Sequence, residues 1–267
     1  MIREQITRRL LAATAAAALL VAAGAARAAD LTAGANIGNV PWEFQDASGE
    51  LVGFEIDLVK EIARRMGKTV AIENIPFQGL FAAVQSGRID MAVSSITITE
   101  KRLASVSFAQ PYYDSDQSLT VRADSGIAGL ADLEGKVVAV DTGSTGDIWA
   151  TQHKDQYGFA DIRRFEGLNP AMLDLAAGRI DGYISDIPAL QYYVRDKPNL
   201  KVAERIPTGE KYSIMFAKDA ELAAEVDEVI GELKKEGWLA RLHEKWFGAA
   251  PDKGTSTVEP AEMPKTK

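Results

Sequence analysis

The chain has no cysteine and only two histidines among its 267 residues. Without thiols it cannot form a disulfide, a thiolate metal site or a lipid-modified cysteine. His153 and His243 lie far apart on helix-like segments and have no companion at ligand spacing, so nothing indicates a metal centre or a histidine-based catalyst. The segment "TGSTGD" (142–147) lacks the G-K-[ST] of a phosphate-binding loop. We therefore expect no cofactor and no metal.

The N-terminal 28 residues have the pattern of a cleaved signal peptide. A basic start, "MIREQITRR", precedes an alanine-rich apolar run and the small–x–small site "ARA" at 26–28. A membrane anchor is the alternative, but the run barely reaches spanning length and no basic cluster follows it. The pair Arg8–Arg9 leaves export by the general or the twin-arginine route open. This pattern predicts a protein of the bacterial periplasm.

Basic residues are also scarce in the rest of the chain. Residues 1–28 hold four Arg and one Glu, and setting them aside leaves 26 basic and 37 acidic side chains, a formal net charge of −11. Such an acidic chain offers no basic surface for nucleic acid. We expect a monomer that binds no nucleic acid, with a disordered tail over 249–267, where Pro, Thr and charged residues show no periodicity.

One unit of helix, turn and strand occurs twice. "GRIDMAVSS" (87–95) and "GRIDGYISD" (178–186) each follow a helix-like run and open a short apolar stretch. Around them the hydrophobic pattern reads β-α-β-α-β twice, over 31–95 and 136–186. This order predicts an α/β protein of two lobes, each a mostly parallel sheet flanked by helices.

The two repeats end on polar residues, Ser95 and Asp186, where open α/β sheets bind ligands. A helix starting near Thr99 places Arg102 in its first turn, and another opens near Ser144–Thr145. Helix N-termini and a guanidinium bind a carboxylate. Asp186 can accept an ammonium, and the Thr97 hydroxyl can serve either charge. Together these groups indicate a site for an α-amino acid.

The chain resembles the bacterial extracellular solute-binding proteins of family 3, the periplasmic amino-acid receptors of ABC importers. The resemblance covers about residues 30–248. The segments that carry it, in family order, are "VPWEF", "GFEIDLVKEIA" (53–63), "SSITITEKR" (94–102), "VSFAQPYY", "GKVVAVDTGST", "GRIDGYISD" and the closing "KWFG". It implies the type II two-lobed fold and an inner-membrane ABC permease as partner.

The resemblance also implies a domain division and roles for single residues. Lobe 1 would comprise 29–115 plus 213–248 and lobe 2 would comprise 116–212, joined by crossovers near Tyr112–Ser118 and Pro207–Tyr212. Arg102 would bind the ligand α-carboxylate with the backbone N–H groups of Thr97 and Thr145. Asp186 would take the α-ammonium, with a carbonyl from Ser95 and the hydroxyl of Thr97. Phe77 would stack on the ligand side chain.

Other positions bear on the choice of ligand. Asn39 stands where relatives often carry a second aromatic residue, Asn36 replaces a common aspartate, and Asp141 occupies a position that varies with specificity. Trp42 either supplies aromatic surface to the site or has a buried structural role. We expect a polar amino acid, neutral or cationic, and no enzymatic activity. The alternative is a periplasmic dehydratase of cyclohexadienyl or prephenate type on the same fold.

Overall fold

The computed structural model describes residues 29–266, so the predicted signal peptide at 1–28 lies outside the described residues. Within 29–266 no helix is long and apolar enough to cross a bilayer. The strands of this part are β1 (Leu31–Ala35), β2 (Phe44–Gln45), β3 (Leu51–Val52), β4 (Val70–Asn74), β5 (Met91–Ala92), β6 (Val106–Phe108), β7 (Tyr113–Arg122), β8 (Val137–Asp141), β9 (Asp161–Phe165), β10 (Gly182–Asp186), β11 (Leu200–Tyr212) and β12 (Met215–Ala217). The helices are α1 (Phe54–Arg65), α2 (Phe77–Gln85), α3 (Glu100–Leu103), α4 (Thr145–Tyr157), α5 (Leu168–Ala176), α6 (Ile187–Val194), α7 (Glu221–Lys235) and α8 (Trp238–Phe247), with a short 3-10 helix at Leu130–Leu133.

The first sheet has the strand order β4-β1-β5-β12-β6. β1 is parallel to β4 and to β5, whereas the late strand β12 is antiparallel to β5 and β6. Helix α1 covers this sheet with an apolar face, on which Ile56, Val59 and Ile62 are fully buried. Burying each such side chain stabilises the fold by about 1.5–3 kcal/mol.

The second sheet has the order β11-β7-β10-β8-β9. β8 is parallel to β9 and to β10, and β7 is antiparallel to both β10 and β11. The two repeats identified in the sequence thus lead into corresponding strands, β5 of the first sheet and β10 of the second. The polar residues after β5 and at the end of β10 lie at the carboxyl ends of these strands.

The two crossovers between the sheets are themselves paired. β7 begins at Tyr113, β11 ends at Tyr212, and these residues are register partners in an antiparallel ladder. Because β12 returns to the first sheet immediately after β11, we propose the domain division that the sequence predicts, 29–115 plus 213–248 against 116–212. The paired crossover strands are then the hinge.

The C-terminal segment differs from the prediction of a disordered tail. It forms no helix or strand, yet Ser256 and Thr257 are buried against the start of the hinge. The backbone N and Oγ of Ser256 donate to Asp114, each over 2.6 Å, and Thr257 Oγ1 donates to the carbonyl of Tyr112 over 3.0 Å. Composition indicated disorder because the segment has few apolar residues. Polar contacts with Asp114 and Tyr112, together with the packing of Met263 against the core, hold it here.

Candidate functional site

A cleft at the carboxyl ends of both sheets gathers almost all of the predicted site residues. It encloses about 470 Å³ of space, counting the open solvent at its mouth. The lining residues are Asn36, Asn39, Phe77, Ser94, Ser95, Thr97, Arg102, Asp141, Ser144, Thr145, Leu168, Ser185 and Asp186. Of the predicted residues only Trp42 is missing from this set.

Trp42 has a structural position instead. Its side chain is fully buried, and its ring lies 4.8 Å from Tyr113, 5.4 Å from Phe54 and 5.5 Å from Tyr212, measured between centroids, with edge-to-face geometry. Aromatic pairs in this arrangement stabilise a core beyond their burial alone. The suggestion that Trp42 lines the ligand site is therefore corrected, because its indole belongs to the aromatic cluster beside the hinge.

Arg102 provides the positive charge of the cleft. It lies in the short helix α3, which starts next to Thr99 as the sequence predicts. The N-cap Thr99 side chain accepts a hydrogen bond from the Arg102 backbone N–H over 3.1 Å. The guanidinium donates to the carbonyl oxygen of Thr97 over 2.7 Å and lies 5.5 Å from the centre of the Phe77 ring. Burial lowers the pKa of Arg102 to about 10, so the side chain stays protonated at neutral pH.

The N-terminus of α4 faces the same part of the cleft from the second lobe. The N-cap Ser144 accepts a hydrogen bond from the backbone N–H of Asp147 over 3.0 Å, and Thr145 is the first helical residue. A contact of 3.4 Å between Arg102 Nη2 and the Gly143 carbonyl brings the guanidinium to this helix start. A guanidinium beside the N-terminus of a helix is suited to an anion such as a carboxylate.

Asp186 provides a negative charge at the end of β10. Its Oδ1 accepts from Gln117 Nε2 over 2.6 Å, and its Oδ2 accepts from Ser95 Oγ of the other lobe over 3.0 Å. Removal from bulk water, together with the nearby charge of Glu210, raises the pKa of Asp186 to about 7. Among the residues at 29–266, neither Asp186 nor Arg102 forms an ion pair, so both charges meet neutral hydrogen-bonding groups instead.

Glu210 and Gln117 are functional candidates that the sequence did not reveal. Glu210 is buried on β11 and accepts from Thr97 Oγ1 over 2.5 Å and from Thr145 Oγ1 over 2.9 Å, so it connects the two lobes. Gln117 on β7 donates to Glu210 over 3.0 Å as well as to Asp186. The one available signal was their place on the two predicted crossovers.

Asp141 and Asn39 lie at other positions along the cleft. Asp141 Oδ2 accepts from the Tyr183 hydroxyl over 2.7 Å, whereas its buried Oδ1 has no partner among the described residues. Burial raises the pKa of Asp141 to about 6. The Asn39 amide donates to Ser95 Oγ over 3.2 Å. The cleft thus combines one guanidinium and a helix N-terminus with several carboxylates, which complements a small zwitterion that carries further hydrogen-bond donors.

Comparison with known proteins identifies the class to which this two-lobed cleft belongs. The chain belongs to the bacterial extracellular solute-binding proteins, family 3, whose profile matches residues 31–249. The predicted family is thereby confirmed. Membership of a solute-binding family also supports the expected binding protein over the dehydratase alternative.

Individual relatives show the same class. The L-cystine-binding protein TcyJ of Escherichia coli (strain K12) is 30% identical over 213 residues, which cover 78% of this chain and 79% of TcyJ. A crystal structure of a mutant of ArgBP from T. maritima is 37% identical, with a TM-score of 0.78, covering 82% of this chain and 95% of that chain. The arginine-, lysine-, histidine-binding protein ArtJ from Geobacillus stearothermophilus is 32% identical, with a TM-score of 0.77, covering 83% of this chain and 96% of that chain. These structural neighbours confirm the predicted two-lobed type II fold.

The raised pKa of Asp186 predicts that the ligand-free protein loses stability as the pH rises. The pKa is about 7 in the folded protein and about 3.9 in an unfolded chain. Between these values only the folded state holds the proton, so this contribution to stability is present at low pH and is lost as the pH rises through about 7. The free energy of unfolding, measured by chemical denaturation, should decline between about pH 5 and pH 8. Asp186→Asn should make this decline smaller by about 1–4 kcal/mol.

Asp124→Asn is the matched control for that experiment. The Asp124 side chain is 87% exposed and lies outside the cleft lining, so its variant should keep the wild-type slope. If the unfolding free energy of Asp186→Asn falls with pH as steeply as that of wild type, Asp186 does not hold the proton.

Proposed function

We propose that this chain is the substrate-binding component of an ABC importer and captures a cationic L-amino acid between its two lobes. The observation that carries the proposal is the pair of opposite charges, Arg102 and Asp186, held in one cleft without an ion pair to each other. A zwitterionic α-amino acid supplies a partner to both. The relative named as an arginine-, lysine-, histidine-binding protein agrees with this ligand class, whereas the one named for cystine, a neutral amino acid, agrees with amino-acid binding alone.

The proposed ligand has its α-carboxylate at Arg102 and the N-terminus of α4. Its α-ammonium is bound by the Asp186 carboxylate, with the Thr97 hydroxyl and the Ser95 carbonyl as further partners. Phe77, at the start of α2, offers its ring to the side-chain stem. Each charged group of the ligand then exchanges water for a protein side chain of opposite charge. Because hydrogen bonds already hold these side chains in place, less entropy is lost in ordering the site on binding.

The balance of charge along the cleft favours a cationic side chain over a neutral or acidic one. The single guanidinium is accompanied by the carboxylates of Asp141, Asp186 and Glu210. The ligand's α-groups account for Arg102 and Asp186, which leaves Asp141 with an unpartnered Oδ1. A buried acceptor without a donor costs about 1–3 kcal/mol, and a guanidinium, ammonium or imidazolium of the ligand would supply the donor.

The two crossover strands allow the lobes to close on the ligand. Rotation of the lobes about the paired β7 and β11 would open the cleft, and ligand contacts from both lobes would favour the closed state. We propose that a signal peptide at 1–28 directs export to the periplasm, that the protein acts as a monomer, and that its closed form is recognised by an inner-membrane permease.

Binding is tested with protein that has been unfolded, freed of ligand and refolded. In calorimetry with the twenty L-amino acids, L-arginine, L-lysine or L-histidine should bind most tightly. Arg102→Ala and Asp186→Ala should each weaken that binding by about 2–5 kcal/mol, because each leaves a ligand charge buried without its partner. Asp124→Asn should bind like wild type. Preference for a neutral or an acidic amino acid, or no binding of any amino acid, would contradict the proposal.

If the ligand is oriented as proposed, Asp141 makes the site prefer a ligand with a cationic side chain over one with a neutral side chain. Asp141→Asn keeps the shape of the side chain but removes its charge and one acceptor. The ratio of the dissociation constants for L-arginine and L-glutamine should therefore shift towards L-glutamine by tenfold or more, about 1.4 kcal/mol. An unchanged ratio in parallel calorimetric titrations would place the ligand side chain elsewhere in the cleft.

A further inference from the structure

Two glutamates lie buried directly behind the cleft. Glu43, just before β2, and Glu55, in the first turn of α1, are both fully buried. Among residues 29–266 neither forms an ion pair with a Lys or Arg. Two adjacent carboxylates in such a place cannot both remain ionised without a large desolvation penalty and mutual repulsion.

The hydrogen bonds of this pair leave one oxygen of each carboxyl without a donor. Glu43 Oε1 accepts from Ser94 Oγ over 2.7 Å and from Asn39 Nδ2 over 3.1 Å. Glu55 Oε1 accepts from the Ser95 backbone N–H over 2.8 Å and from the Tyr112 hydroxyl. Glu43 Oε2 and Glu55 Oε2 have no donor, although the two carboxyl groups are within hydrogen-bonding contact of each other. A single proton shared by the two carboxyl groups would supply a donor between them.

We propose that Glu43 keeps this proton and donates a hydrogen bond through it to an ionised Glu55, and that Glu55 in turn positions Ser95 for the cleft. The assignment follows from the fold, because Glu55 lies in the first turn of α1, where the helix dipole favours a negative charge. Glu43 lies outside any helix. Both glutamates are positioning residues, since neither is among the residues that line the cleft.

Ser95 connects the pair to the ligand site. Its backbone has a φ of 43°, a left-handed conformation that residues other than glycine rarely adopt. The charge-assisted bond from its N–H to Glu55 holds this conformation, and its hydroxyl then reaches Asp186 Oδ2 of the opposite lobe. The Asn39 amide donates to both Ser95 Oγ and Glu43 Oε1. The protonation of Glu43 and Glu55 therefore affects the position of Ser95, which contacts Asp186, the residue that we propose to bind the α-ammonium.

The groups around the pair keep its proton bound at neutral pH. Burial raises the pKa of Glu43 well above its usual value, and the charge of Glu55 raises it further. Burial also raises the pKa of Tyr112 well above its usual value, so its hydroxyl stays protonated as a donor. Asp186, across the cleft, is a further ionisable group near this cluster, and its charge also raises the pKa of Tyr112. The stability that the proton contributes is present at low pH and is lost as the pH rises through the folded-state pKa of Glu43.

Two isosteric variants distinguish the donor from the acceptor. Glu43→Gln places an NH₂ group where the protonated oxygen was, so it should fold and bind L-arginine within about twofold of wild type. Glu55→Gln replaces the charged acceptor of the Ser95 N–H with a neutral amide and should weaken L-arginine binding by about tenfold or more. Only the ligand arm of this test rests on the proposed function.

Infrared spectroscopy of the ligand-free protein tests the proton itself. The spectra are recorded in D₂O at neutral pH on proteins that all carry Asp186→Asn, because the pKa of Asp186 is about 7. The protein that keeps Glu43 should show the C=O stretching band of a protonated carboxyl group, and Glu43→Gln should lack it. Glu43→Gln should also remove the part of the decline in unfolding free energy with rising pH that wild type owes to this group. These readouts remain available if Glu55→Gln does not fold or if no amino acid binds.

Three results would each overturn the proposal. The first is the absence of the carboxyl band in the protein that keeps Glu43. The second is its persistence in Glu43→Gln, and the third is a loss of L-arginine affinity in Glu43→Gln as large as that in Glu55→Gln.

Discussion

Two side chains of opposite charge line the cleft without forming an ion pair with each other, and the rest of the site depends on them. Arg102 and Asp186 are both largely removed from bulk water, and each is held by neutral partners. A charge in this situation is stabilised less well than in water, as the lowered pKa of Arg102 and the raised pKa of Asp186 both indicate. A zwitterion of matching length, the ligand that we propose, would offer each of these charges a partner of opposite sign.

The chain topology brings these charges together. Each repeat ends a parallel strand at the cleft, so Ser95 and Asp186 meet across it. The two crossover strands run beneath the same cleft and contribute Gln117 and Glu210, which contact groups of both lobes. The hinge is therefore part of the polar network of the site. A change in the angle between the lobes would alter hydrogen bonds at Asp186 and Glu210 directly.

Local sequence signals were sufficient for most of the site. The helix starts near Thr99 and Ser144 were predicted because a helix start depends on a few adjacent residues. In the structure both side chains cap their helices by accepting a backbone hydrogen bond. Ser95 and Asp186 were predicted because strand ends in parallel sheets are functional positions. The family resemblance added Phe77, Asn36, Asn39 and Asp141, all of which line the cleft.

The features that sequence reasoning missed depend on contacts between distant segments. Glu210 becomes part of the site only through the pairing of β11 with β7, which joins residues nearly 100 positions apart. The enclosure of Trp42 depends on rings from several separate segments. The ordered tail depends on Asp114 and Tyr112, which lie far upstream. No local pattern of hydrophobicity or composition contains this information.

A crystal structure of the ligand-free protein soaked or co-crystallised with L-arginine would test the central claim most directly. The account predicts the α-carboxylate at the Arg102 guanidinium and the N-terminus of α4, the α-ammonium at Asp186, and the side-chain guanidinium at Asp141. A ligand bound in the opposite orientation, or bound outside this cleft, would contradict it.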